Sequence, residues 1–69
     1  MNVNDLLKRN IARLRAESGV SQNALAEKLG ISPQAVSKWE RGICCPDISL
    51  LPRIAKVFGT SIDELFSEK

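Results

Sequence analysis

Four glycines divide this 69-residue chain at intervals that leave room for little except short helices. Gly19, Gly30, Gly42 and Gly59 each close a stretch with helical apolar spacing, and Val20, Ile31 and Ile43 follow the first three directly. A helix that stops on a left-handed glycine commonly folds the next apolar residue back onto its last turn. Hydroxyls then restart the chain at Ser21, Ser32 and Ser61, each placed to accept from a free N–H of a first helical turn. No segment alternates well enough to make a strand. This punctuation predicts an all-α, compact five-helix domain over 1–69 with very short connections. The helices fall at residues 5–18, 22–29, 33–41, 48–58 and 62–66.

The first helix carries Leu7, Ile11 and Leu14 on one face, with Leu6 beside them and Val3 reaching for the same core. Asn2 or Asn4 caps it, and Lys8, Arg9 and Arg13 project outward. Leu25, Ala26 and Leu29 give the second helix its inward side. Ser32-Pro33 opens the third, proline fitting a first turn where its missing N–H has no intrahelical partner. Asp47 caps the fourth, whose inward residues are Ile48, Leu51, Ile54, Ala55 and Phe58. Pro52 inside its opening turns forfeits a backbone bond and bends the axis. Ser61-Ile62-Asp63-Glu64 has the form of a capping box, and Ser67–Lys69 are expected to fray.

The pair 22–29 and 33–41, joined by about three residues, suits the steep crossing of a helix-turn-helix. At about 100° per residue, Gln34, Ser37, Lys38 and Arg41 share one face of the later helix, while Ala35, Val36, Trp39 and Ile43 gather on the other. The polar row suits duplex DNA. Glutamine can pair with an adenine edge, lysine can reach guanine acceptors or phosphate, serine can contact either, and arginine can hold phosphate. The helix is slim at its start, through Ser32, Pro33, Gln34 and Ala35, and could enter a major groove by that end. Against this stands the ordinary solvated face that most surface helices show. Trp39 could stack on a base, but its angular place beside Val36 assigns it to the core.

Composition narrows the alternatives. With 43% apolar residues but two Phe and one Trp, the core must be mainly aliphatic. No apolar run approaches a membrane span, and no basic-then-apolar signal segment opens the chain; a cytoplasmic location is expected. Residues 1–56 hold nine Lys/Arg against five Asp/Glu, and residues 57–69 hold one against three. A basic body with an acidic tail is compatible with DNA on one side. The adjacent Cys44 and Cys45 are poorly spaced for a disulfide, and two thiolates without histidine do not complete a zinc site. They read as small, partly buried loop residues rather than a redox switch. An enzyme has little to stand on, lacking histidine, a glycine-rich phosphate loop and paired carboxylates in an evident cleft. No metal or cofactor is expected.

From about Ile11 to Phe66 the chain resembles the Xre/Cro, lambda-repressor-like family of phage repressors and bacterial regulators. The resemblance is carried by Ser21-Gln22, Leu25-Ala26, Leu29-Gly30-Ile31-Ser32, Val36-Ser37-Lys38-Trp39-Glu40-Arg41-Gly42 and Pro46-Asp47-Ile48. It implies a transcriptional regulator, expected to be a repressor, whose helix 33–41 reads the major groove of a pseudo-palindromic operator. It implies that Gln22 touches phosphate and braces that helix, and that Pro33, Gln34, Ser37 and Lys38 occupy base-reading positions. Arg41 would sit near phosphate. The family often has a polar residue where Pro33 stands, so only a shape contact is expected there. The full candidate DNA-binding set is Gln22, Asn23, Ser32, Pro33, Gln34, Ser37, Lys38 and Arg41. Resemblance also implies a partly buried ion pair between Arg15 and Glu40, and a homodimer near the last helix in which Ile62, Leu65 and Phe66 divide between core and interface. A protein-interaction or antitoxin-like module on the same fold is the alternative, since fold does not fix function.

Overall fold

Side-chain caps start four of the five helices in the computed structural model, which describes residues 2–68. The helices are α1 (Val3–Ser18), α2 (Gln22–Leu29), α3 (Pro33–Glu40), α4 (Leu51–Val57) and α5 (Ile62–Leu65), with no strand among the described residues. Asn2 accepts from the Asp5 N–H, Ser21 from Ala24, Ser32 from Ala35 and Ser61 from Glu64. Asn2, not Asn4, therefore caps α1. At the last of these caps only half the box forms: the Glu64 carboxylate lies 3.9 Å from Arg13 instead of returning to Ser61.

One C-terminal arrangement recurs at all four glycines. At Gly30 (φ 72°), the glycine N–H donates to Glu27 O and the Ile31 N–H reaches back to Ala26 O, at 3.2 and 3.0 Å. These paired bonds satisfy carbonyls that the helix end leaves open. Val20 and Ile31 also pack against the core. Ile43 does not: its N–H bonds Lys38 O, but its side chain is 61% exposed. The expectation that Ile43 shares the buried face of α3 is therefore corrected, because the chain there leaves the bundle.

The segment 48–58 is not one helix. Ile48–Leu50 forms a 3-10 turn, and α4 begins at Leu51. Pro52 supplies the reason. An α-helix running from Ile48 would need the N–H of residue 52 for the Ile48 carbonyl, and proline has none. Leu51 N–H takes that carbonyl instead, in the tighter i+3 pattern. Ile48 is consequently turned out and 79% exposed, and Asp47 receives the Ser49 hydroxyl without capping a backbone N–H. Val3 is also exposed and lies outside the core.

The core joins Leu7 and Ile11 of α1, Leu25, Ala26 and Leu29 of α2, Val36 and Trp39 of α3, Ile54 and Ala55 of α4, and Leu65 of α5. Asn10 lies at 0% exposure among these apolar groups. Its Nδ2 donates to Leu65 O at 2.9 Å and Ser67 O at 2.8 Å, tying α1 to the end of α5. Ser67 is thus held where fraying was expected; Lys69 lies outside the described residues. No described helix is long and apolar enough to cross a membrane.

Candidate nucleic-acid interface

Helix α3 is seated by its apolar underside. Val36 is fully buried, Trp39 is 4% exposed, and Ala35 packs partly against the same core. That seating turns Pro33, Gln34, Lys38 and Arg41 outward, with Ser37 half-buried at the edge of the row. The two kinds of residue are separated by the helix period alone. Ser32 is exposed, its Oγ 3.3 Å from the Ala35 N–H that it caps. Asn23 is exposed in the first turn of α2, and Gln22 beside it is half-buried.

Besides Ser32, three members of the candidate set are already engaged within the protein: Arg41, Ser37 and Gln22. Arg41 Nε donates to Ser37 Oγ at 3.1 Å and to Ser37 O at 3.3 Å, laying the guanidinium along the end of α3. The Ser37 hydroxyl keeps its own proton free to donate. Gln22 Nε2 donates to Glu40 Oε1 at 3.0 Å, so one end of its amide braces α3 from α2.

Glu40 sits at the centre of a wider junction. Arg15 Nε and Nη2 donate to its two oxygens at 2.6 and 2.9 Å, and Arg15 Nη1 donates to Val20 O at 3.1 Å. The side chains are 23% and 10% exposed for Arg15 and Glu40. Side-chain hydrogen bonding from Arg15 holds the Glu40 carboxyl below its ordinary range; burial opposes this, and the Gln22 amide adds to it. The hydrogen bond to Glu40 likewise raises Arg15. α1 and α2 thus meet α3 on one carboxylate, and the same Arg15 guanidinium also holds the α1–α2 connection through Val20 O.

Lys8 is a cation at this face that the sequence left among generic outward charges. Its Cδ lies 3.2 Å from where a Cβ on Gly42 would stand, and Gly42 itself has φ 75°. The chain thereby brings an α1 ammonium beside the end of α3. The available signal was spacing: Lys8 precedes Arg15 by seven residues, two turns along the same side of α1. Lys8, Asp5, Arg9, Ala12 and Glu40 line an open groove of about 490 Å³ between α1 and the end of α3.

The helix-turn-helix family model matches residues 11–65. The chain is 42% identical over 57 residues to the HTH-type transcriptional activator BcrR of Enterococcus faecalis, covering 83% of this chain and 28% of that protein. It is 37% identical over 60 residues to the HTH-type transcriptional regulator MJ0272 of Methanocaldococcus jannaschii, covering 87% of this chain and 91% of that one. Among solved structures, hydroxypropylphosphonic acid epoxidase from S. wedmorenis, in complex with fosfomycin, superposes with a TM-score of 0.88 at 31% identity. That match takes in 97% of this chain and 36% of the epoxidase. The chain therefore spans about a third or less of BcrR and of the epoxidase, and nearly all of MJ0272.

Proposed function

The chain belongs to the helix-turn-helix family of transcriptional regulators, and we propose that it binds double-stranded DNA sequence-specifically with α3 in the major groove. The observation that carries this is the division of α3: Val36 and Trp39 sealed below, Gln34 and Lys38 free above. Gln34, Lys38 and the Ser37 hydroxyl read base edges, and Pro33 supplies a shape contact. Arg41 and Lys8 hold phosphates on one side, and Gln22, Asn23 and Ser32 hold them at the N-terminal ends of α2 and α3. Gln22 Nε2 gives one hydrogen to Glu40 and has its second N–H to donate to a phosphate.

A single module of this size binds weakly, so the reading includes a homodimer on a pseudo-palindromic operator with half-sites about one turn apart. Leu65 is committed to the core, which leaves the exposed Ile62 and half-buried Phe66 for the dimer contact. Repression in the cytoplasm is the mode that the resemblance to phage repressors favours; BcrR is named an activator, so a promoter-reporter measurement decides the sign. We assign no catalytic role.

Selection of binding sites from random duplex DNA is the test. The expected result is an enriched motif with two-fold symmetry whose binding falls steeply with salt, because phosphate contacts release counterions. Recovery of no motif, with binding to a protein partner that salt does not weaken, would favour the interaction-module alternative.

A further inference from the structure

The connection between α3 and α4 carries two adjacent thiols that the DNA-binding reading does not use. Cys44 and Cys45 are both free and exposed, which corrects the expectation that they are partly buried. The pair is held in place from two sides. The Cys45 thiol donates to Asn4 Oδ1 on α1, and the next residue, Pro46, is buried.

Geometry and ligand count together select what such a pair can take. Neighbouring Cα atoms lie about 3.8 Å apart across a trans peptide, whereas disulfides ordinarily begin at about 4.4 Å. Direct closure of Cys44 on Cys45 is therefore strained. Inserting one atom between the sulfurs lengthens the bridge and relieves it. Zinc does not suit the position, since its sites take three or four ligands from the protein. The chain has no histidine, and no three His, Cys, Asp or Glu residues gather as a metal site among the described residues. The centre must ask for two sulfurs and bring its remaining substituent itself.

We propose that Cys44 and Cys45 form a bidentate binding site for a trivalent, thiol-seeking centre that carries its own organic group, of the organoarsenic(III) class. With the dihydroxy form RAs(OH)₂, two As–S bonds form and two As–O bonds break. The two thiol protons leave with the two hydroxyls as water. Arsenic remains trivalent and nothing is oxidised or reduced. Cys45 gives up its hydrogen bond to Asn4 in the exchange. The site does not depend on whether α3 reads DNA.

The test treats the whole chain with one equivalent of phenylarsine oxide, then with excess 2-mercaptoethanol, then with 2,3-dimercaptopropanol, following intact mass at each step. One adduct per chain is expected, with both thiols blocked to alkylation, stable to the monothiol and released by the dithiol. The Asn4 side-chain amide resonance should shift on labelling. In Cys44→Ser and Cys45→Ser, whose changes fall on exposed positions, the adduct should be lost at the monothiol step. The proposal is overturned if the native chain sheds arsenic to the monothiol as readily as the single variants, if it takes up one arsenic per thiol, or if the Asn4 resonance does not move.

Discussion

Arg15 grips Glu40 through two parallel hydrogen bonds, Nε to Oε2 and Nη2 to Oε1, and so fastens the last residue of α3 to α1 across 25 positions of sequence. A fork of this kind fixes angle as well as distance. Removing the arginine would leave a carboxylate that is 10% exposed with only the Gln22 amide for company. Arg15→Met is therefore expected to destabilise the fold by about 1–3 kcal/mol, mostly through the partly buried charge left without its partner. Arg15→Met/Glu40→Gln should recover part of that loss. Urea unfolding of the full cycle should give a coupling of about 1–3 kcal/mol; additive single changes would mean that the pair does not act as a unit.

The same pair sets an acid dependence. Glu40 is held below its ordinary carboxyl range, first by the Arg15 hydrogen bond, so the folded protein resists protonating it. Its contribution is complete above the unfolded glutamate value of about 4.3 and is lost as pH falls from there through the lowered folded value. Thermal melts of the native chain should therefore drop more steeply below about pH 5 than those of Glu40→Gln, and the two curves should run parallel near neutrality. Equal acid slopes would place the destabilising protonation elsewhere.

Asn10 makes a separate prediction. Its buried amide serves two carbonyls, at Leu65 and Ser67, and its Oδ1 accepts from Arg13 at 3.3 Å. Asn10→Leu matches the volume and the apolar surroundings but removes the side-chain donor from the buried Leu65 carbonyl, at about 1–3 kcal/mol for a buried group that loses its partner. Hydrogen exchange should localise the loss to the end of α5, whose amides would exchange at a rate approaching that of unstructured chain. A change spread evenly over all five helices would contradict a local clamp.

Asn10 also marks where sequence legibility ends. It sits between Leu7 and Ile11 on α1, but apolar spacing picks out only the apolar members of that face, and its partners lie 55 and 57 positions away. The caps at Ser21, Ser32 and Ser61 and the glycine stops were legible because each is settled within the next turn, whereas the cap expected at Asp47 failed because Pro52 delays the start of α4. Ile43 and Ile48 were misplaced because helical spacing was continued past Arg41 and back through Pro52. Whether an apolar side chain finds a neighbour depends on the path of the chain, and periodicity carries no account of that path. The outward row of α3 was legible for the opposite reason, since Val36 and Trp39 fix the rotation of the rod and the remaining positions follow.

That rotation separates the roles expected on DNA. Gln34 and Lys38 stand free of internal partners among the described residues, so Gln34→Ala or Lys38→Ala should relax preference at particular base positions, by about 1–3 kcal/mol each, without lowering thermal stability. Arg41→Ala should instead weaken every duplex alike and reduce the salt slope by about one, as loss of a phosphate contact does. Gln22→Ala belongs to neither class. Its amide supports Glu40 at 3.0 Å, so the substitution should lower the melting temperature and weaken binding together. Site-selection profiles, salt titrations and melts on the four variants distinguish these patterns. If Gln34→Ala left the selected motif unchanged while Arg41→Ala altered it, the assignment of base and phosphate contacts along α3 would have to be exchanged.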